Sequence, residues 1–159
     1  MKGVSIRPFR GDSLTAKVRD QMVGLFRLLD NDEMKDYAKL GLHMTECGDF
    51  YLADIIEDDE GFIAMYEGRG VGMVSNVNAD EYDNAKLLSK LVVDPIHRRK
   101  GIGRRLMEHA IRENRKHGNE TMLNVSARNE AALALYKSLG FVLHSQTMVT
   151  TPAKENEEK

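Results

Sequence analysis

A chain of 159 residues, with 23 Lys and Arg against 25 Asp and Glu, is one domain long enough for a real core and carries a formal net charge of only −2. That balance excludes a general nucleic-acid binder by charge, and the single cysteine, Cys47, excludes both a disulfide framework and a Cys-rich metal site. No signal peptide is visible and no apolar run approaches the roughly 20 residues of a membrane span, so the expected setting is reducing and cytoplasmic, with Cys47 a buried structural residue.

In chain order, Val4 to Pro8 predicts a first strand that Pro8 ends. Asp12 or Ser13 can cap a helix whose apolar positions are Leu14, Val18, Met22, Leu25, Phe26 and Leu29, a stripe that reads as core packing. Asp30-Asn31-Asp32-Glu33 breaks the stripe and predicts a loop, followed by a helix over Met34 to Leu40; an EF-hand is excluded, because its glycine and closing glutamate are missing. Asp49 can cap a short helix carrying Leu52, Ile55 and Ile56. It should stop near Glu57, since the acidic run to Glu60 sits badly at the negative end of a helix dipole.

Phe62 to Tyr66 and Val71 to Val77 flank Glu67-Gly68-Arg69-Gly70 and predict a hairpin, with Asn78 to Asn84 a polar loop after it. Leu87, Leu88, Leu91, Val92 and Val93 form a strand that should stop near Asp94, because Pro95 cannot donate to a ladder. A helix follows from Gly103, with Leu106, Met107, Ala110 and Ile111 at helical spacing and Gly118 as its stop. Thr121 to Ser126 predicts a strand with Leu123 and Val125 on one face. Asn129 caps a helix in which Ala132, Leu135, Tyr136 and Leu139 share a side, and Gly140 closes it. Phe141 to Thr150 is expected as a last strand. The domain then covers residues 1–152, with 153–159 a polar tail. Helices and strands in this order predict a mixed α/β layer fold.

The turn between Asp94 and Gly103 is the chemically specific stretch. A helix N-terminus leaves backbone N–H groups unpaired, and Gly101 and Gly103 let an oxyanion approach them. Arg98, Arg99, Lys100, Arg104 and Arg105 crowd cationic side chains around the same place. A phosphorylated ligand satisfies both. A dinucleotide fingerprint is excluded because Leu106 stands where its third glycine belongs, and no Gly-Lys-Ser/Thr follows as a P-loop requires. A nucleic-acid module built on Arg98 to Arg105 would lack interleaved aromatics.

Val93-x-Pro95-x-x-Arg98-x-x-Gly101-x-Gly103 resembles the acetyl-CoA motif of the GNAT superfamily of N-acetyltransferases, Arg/Gln-x-x-Gly-x-Gly/Ala after a strand ending in Val-x-Pro. Asn129 to Phe141 is similar to the same family's Asn-x-x-Ala-x-x-Leu-Tyr-x-x-x-Gly-Phe pattern, with Tyr136 and Gly140 in place. The resemblance implies the GNAT fold: a single mixed, mostly antiparallel sheet, splayed where the cofactor enters and flanked by helices. It implies acetyl-CoA as co-substrate and a small-molecule or peptide amine as acceptor, with no nucleic-acid or membrane partner. Only about ten strand-like residues follow Gly140, where the family has a two-strand hairpin. The second strand is therefore either missing or supplied by a partner subunit in a homodimer.

The resemblance also assigns residues. Main-chain groups of Leu91, Val92 and Val93 would pair with the pantetheine arm, and Arg98, Arg99, Lys100, Gly101, Ile102, Gly103 and Arg104 would hold the pyrophosphate. Asn129 would cap its helix, contact the cofactor, or do both. Tyr136 becomes the candidate general acid, protonating the departing CoA thiolate. Many relatives carry a glutamate base on the motif strand where this chain has Ser89, next to Lys90, which reads as a solvated charge. Glu81 and Asp83 are the substitutes at hand, while His97 and His144 read as surface or turn residues. A catalytically silent CoA-binding or interaction module is the alternative that Ser89 favours. Acidic runs at Asp30–Glu33, Glu57–Glu60 and Asp80–Asp83 suggest a cationic acceptor.

Overall fold

The computed structural model describes residues 3–39 and 59–148. Five strands form one sheet in the order β1 (Ser5–Arg10), β2 (Glu60–Tyr66), β3 (Arg69–Asn78), β4 (Ala85–Val93) and β5 (Glu120–Leu123). The first three pairings are antiparallel and β4–β5 is parallel. Helix α1 (Ala16–Ala38) packs on one face, where Met22, Leu25 and Phe26 meet Phe9, Ile63, Met73 and Val92. Helix α2 (Ile102–Lys116) covers the other, setting Ile102, Leu106, Met107 and Ala110 against Phe62, Ala64, Val71, Val74 and Leu88. Helix α3 (Glu130–Ser138) adds Tyr136, and Leu139 just after it, to the margin of that second core. The single mixed, mostly antiparallel sheet flanked by helices is the architecture expected from the motifs.

Several boundaries differ from expectation, each for a physical reason. Pro8 lies inside β1, opposite Phe62, rather than ending it. β1 is an edge strand, so the N–H that proline lacks costs no ladder bond. Helix α1 starts after Thr15, behind a 3-10 turn at Gly11–Ser13, and runs straight through Asp30 to Glu33. A polar turn costs a helix only tenths of a kcal/mol per residue, and the packed stripe before it outweighs that cost. The hairpin turn is Glu67–Gly68 alone, with φ of 49° and 76°. Two left-handed residues are what a two-residue turn needs to match the strand twist.

The expected final strand does not form over residues 141–148, which have no regular structure and leave Val142, Leu143 and Met148 exposed. Phe141 is held edge-on to Tyr136, with ring centroids 5.9 Å apart. β5 likewise stops at Leu123 rather than Ser126, because its parallel pairing with β4 ends at Leu88↔Leu123. The expected helix after Asp49, the end of the predicted 34–40 helix, Cys47, and residues Val149 and Thr150 lie outside the described residues.

One contact in the sheet has a direct consequence for stability. A Cβ added at Gly61 would collide with the Val74 carbonyl oxygen, which belongs to the paired backbone and cannot swing away. Gly61→Ala should therefore cost at least the upper end of the roughly 1–3 kcal/mol typical of overpacking. For a chain of this length that lowers Tm by roughly 6–12 °C. Differential scanning calorimetry of the variant is the check, and a Tm within about 2 °C of the parent's, on the order of half a kcal/mol, would refute the contact.

Candidate functional site

The site grows from the point where β4 loses a neighbour. β4 pairs with β5 only from Ala85↔Glu120 to Leu88↔Leu123; from Ser89 to Val93 its outer side has no strand beside it among the described residues. The hydrogen-bond alternation of the inner side settles which backbone groups face that opening. Asp94 N–H donates to Val71 O at 3.0 Å, so Val92 and Lys90 also turn their N–H and C=O toward β3. Leu91 and Val93 turn theirs outward. Of the three residues expected to line the pantetheine arm, then, Leu91 and Val93 present main-chain groups to the splay, while those of Val92 are used within the sheet and its side chain is core.

The turn begins at the end of the same strand. Asp94 caps a 3-10 turn, Pro95–His97, by accepting from Ile96 N–H at 3.1 Å. Arg98 folds back so that its Nε donates to Val93 O at 2.9 Å, while its Nη2 lies 3.5 Å from Asp32 Oδ2 on α1. Lys100 Nζ donates to Ile96 O at 2.8 Å. Arg99 (φ 60°) and Gly101 (φ 77°) are both left-handed, the first a strained state for a residue with a side chain. Gly101 is the N-cap of α2 with no side chain to cap it, and the first helical bond returns from Arg105 N–H to Gly101 O at 3.1 Å. The N–H groups of Ile102, Gly103 and Arg104 precede it and emerge at the helix end. The arrangement is a row of backbone donors at the positive end of a 15-residue helix, with the side chains of Arg98 and Lys100 held beside it by backbone carbonyls.

Helix α3 closes on this end. A Cβ at Gly103 would lie 3.8 Å from Val93 Cγ2 and 3.9 Å from Leu135 Cδ2, so the strand end, the start of α2 and α3 meet there. Arg104 Nη2 donates to Ser138 Oγ at 2.6 Å, tying α2 to α3. Asn129 caps α3, its Oδ1 accepting from Ala132 N–H at 3.1 Å. Tyr136, the residue after Leu135, is half-buried, and burial pushes its phenol above the ordinary tyrosine value. Among the described residues its hydroxyl has no hydrogen-bond partner.

Ser89 opens the splay, but the other candidates do not gather there. Ser89 is exposed and sits in a bulge, unopposed between Ser75↔Lys90 and Asn76↔Leu88. Glu81 and Asp83 are exposed in the loop before Ala85, at the other end of a nine-residue strand. At about 3.3 Å per residue, that is more than about 20 Å from Val93. His144 is exposed, whereas the His97 ring is tucked 5.7 Å from the Tyr66 ring. An open groove of about 570 Å³ along the later turns of α2, from Glu108 to Lys116 and against Leu139, holds none of the predicted residues.

Two polar clusters escaped the sequence reading. Lys90 is not a solvated charge: its Nζ lies 3.1 Å from Asp59 Oδ2 and 4.9 Å from the Phe26 ring centre, while Ser75 donates to the same carboxylate oxygen at 2.6 Å. Asp59 is buried in this pairing, whereas Glu60 is exposed and lies 3.1 Å from Lys86 Nζ. On the other face Asn76, Asn114 and Thr121 form a buried amide network. A signal for it was present: Asn114 falls on the apolar stripe of Met107, Ala110 and Ile111, where a polar side chain has to find partners.

Comparisons with known proteins bear on the family and the fold. The chain is 52% identical over 60 residues to the ribosomal protein bS18 alanine N-acetyltransferase of Escherichia coli (strain K12), a match covering 37% of this chain and 40% of that protein. It is 42% identical over 55 residues to the L-amino acid N-acyltransferase MnaT of the same strain, covering 34% of this chain and 32% of the relative. The chain therefore spans less than half the length of the curated relatives it matches. Among solved structures, the aminoglycoside N-acetyltransferase AAC(6')-Iy in complex with CoA shares the fold at a TM-score of 0.67 and 18% identity, covering 95% of each chain. An aminoglycoside acetyltransferase, meta-AAC0020, from an uncultured soil metagenomic sample gives a TM-score of 0.67 at 19% identity, covering 93% of this chain and 94% of that one. Among the described residues no helix is long and apolar enough to cross a membrane. The model of the Acetyltransferase (GNAT) family matches residues 25–141, the span that carries the splayed strand, the glycine turn and Tyr136, and the chain belongs to that family of acyl-transferring enzymes.

Proposed function

We propose that this protein transfers an acetyl group from acetyl-CoA to a primary amine by direct attack. The observation that carries the reading is the convergence of a strand edge with no strand beside it among the described residues, open at Leu91 and at the Val93 N–H, with a glycine-capped helix N-terminus at Gly101 to Gly103. An extended amide-bearing arm suits the first and a diphosphate the second. Leu91 and Val93 would hold the arm. Arg98, Arg99, Lys100, Gly101, Ile102, Gly103 and Arg104 would hold the diphosphate, mainly through backbone N–H groups, and Asn129 lies at the start of α3 to help. When bound, the co-substrate supplies the acyl group as an activated thioester.

The chain's own residues do the rest. Val93 N–H, turned to the splay, polarises the acyl carbonyl. Tyr136 keeps its proton near neutral pH and gives it to the departing sulfur. An amine acceptor is supported by the relatives, whose names specify a ribosomal protein alanine and L-amino acids. The lone Cys47 suits a reducing, cytoplasmic setting.

The second reading, a silent CoA-binding module, rests on one observation: Ser89 is exposed in its bulge and the nearest strand charge, Lys90, is already paired with Asp59. A screen of CoA release across polyamines, aminoglycosides, amino acids and peptides separates the two, since the silent module binds CoA and releases none. With Ser89 in place of a strand carboxylate, the amine proton would leave through water, to bulk solvent or to a distant carboxylate. We expect kcat/KM to climb with pH toward the amine's own pKa, about 10.4 for an unperturbed primary amine. A plateau well below that value would reveal a dedicated base and overturn the solvent route.

A further inference from the structure

The buried amide of Asn114 lies at the closed end of the splay, where the described contacts give it three bonds. Asn114 Oδ1 accepts from Asn76 Nδ2 at 2.8 Å, and its Nδ2 donates to Asn76 Oδ1 at 3.1 Å and to Thr121 Oγ1 at 3.0 Å. Asn114 is 2% exposed, and its two bonds to Asn76 are buried while the one to Thr121 is part-buried, so water does not readily replace the pair with Asn76. The placement of the partners matters more than their number. Asn76 stands on β3 opposite Leu88, the last β4 residue in register with β5. Thr121 stands on β5 opposite Lys86. One side chain on α2 thus joins the strands on both sides of β4, at the level where β4 and β5 part.

The same residue also ends the helix. Asn114 O accepts from Asn119 N–H at 2.9 Å and from His117 N–H at 3.0 Å, and Glu120 N–H donates to Asn84 O at 2.8 Å, so the chain passes from α2 into β5 through this knot. Twelve residues earlier, about 18 Å along a straight helix, Ile102 opens the row of free N–H groups at the glycine turn. A helix is stiff over that distance, so a tie that fixes its far end also fixes where the turn stands relative to the open strand edge.

We propose that Asn114 is a positioning residue for the CoA ligand: it sets the angle at which β5 leaves β4 and, through α2, the distance from the Leu91/Val93 edge to the turn at Gly101–Gly103. This rests on the acetyl-CoA reading above. A ligand that spans both features feels that distance, whereas a ligand that touches only one does not. Loss of the tie should therefore lower affinity for the whole molecule and spare its fragments, which a general loss of stability would not do.

The test is titration calorimetry with CoA and with ADP, whose diphosphate engages the turn alone, at a temperature well below each variant's Tm. Asn114→Leu keeps the side-chain volume and removes every amide bond. Thr121→Val removes only the β5 acceptor and serves if the first variant does not fold. Asn114→Leu should weaken CoA by roughly tenfold while ADP affinity stays within about twofold of the parent's, in the range by which residues away from a ligand modulate its binding. Thr121→Val should move CoA in the same direction by less. Equal weakening of CoA and ADP, or unchanged CoA affinity in both folded variants, overturns the positioning role. A parent protein that binds ADP but gains nothing from the pantetheine arm of CoA instead overturns the acetyl-CoA reading on which the role depends.

Discussion

Tyr136→Phe should lower kcat by about 10²–10⁴ while leaving acetyl-CoA affinity nearly unchanged. The substitution retains the ring, and with it the contact to Phe141 and the place against the α2 core. It removes only a hydroxyl that has no partner among the described residues, so no buried group is orphaned and stability should change little. Steady-state rates with a saturating amine, paired with CoA titration, distinguish the outcomes. An unchanged kcat under rate-limiting chemistry would return Tyr136 to a packing role. The pH dependence follows from burial. Because the neutral phenol is favoured in the folded chain, its pKa lies above the ordinary value of about 10, and the proton donor is present throughout the neutral range. The alkaline fall in kcat should therefore lie above about pH 10 and vanish in the Phe variant. By linkage, the raised value makes ionisation of the phenol a cost to the folded state: stability is unaffected below the unfolded pKa and falls as pH rises from there through the folded one.

Gly103→Asp should abolish CoA binding without unfolding the protein. A Cβ at this position meets only Val93 and Leu135, at ordinary contact distances, and its φ is not left-handed, so Gly103→Ala should fold and serve as the control. The introduced carboxylate would stand among the free N–H groups that await the diphosphate. Two unit charges about 5 Å apart at an effective dielectric of about 20 repel by about 3 kcal/mol, more than about a hundredfold in affinity. At about 100 times Kd, CoA should stabilise the parent by about 2.7 kcal/mol, or roughly 5–11 °C in Tm, and the Gly103→Asp variant by almost nothing. Equal thermal shifts in both would show that the diphosphate lies elsewhere. Gly101 answers a different question. Nothing crowds its missing Cβ, but its φ of 77° strains any L side chain, so Gly101→Ala should change the shape of the turn rather than its charge.

How much of this was legible in the sequence depended on whether the cause was local. The glycine turn was, because Pro95, Gly101 and Gly103 restrict or free the backbone where they stand, and Asn129 capped its helix as its side chain dictates. The motif strand and the stripe of α2 were legible from periodicity, which is also a property of neighbours in sequence. The sequence signal misled where burial competed with propensity: the polar turn at Asp30 to Glu33 was carried through as helix, and Pro8 was accepted on an edge. It misled too at Phe141 to Met148, where strand-like residues join no strand among the described residues, because a strand needs a neighbour and β5 offers only four residues.

What only the tertiary structure decided is the arrangement of groups distant in the chain. Leu91 and Val93, rather than Val92, face the splay because antiparallel pairing with β3 alternates from the bond between Asp94 N–H and Val71 O, a partner 23 residues away in the chain. Lys90 reads as a surface charge until Asp59, Ser75 and Phe26 are brought around it from three other parts of the chain. Asn114 could be flagged as polar on an apolar stripe, but its partners lie 38 residues before it and 7 after it, on strands whose order is set by sheet topology. Residue chemistry along the chain determined which ligand the turn could hold; the crossing of β3, β4 and β5 determined where the open edge stands beside it, because hydrogen-bond register is a relation between strands and not a property of any one of them.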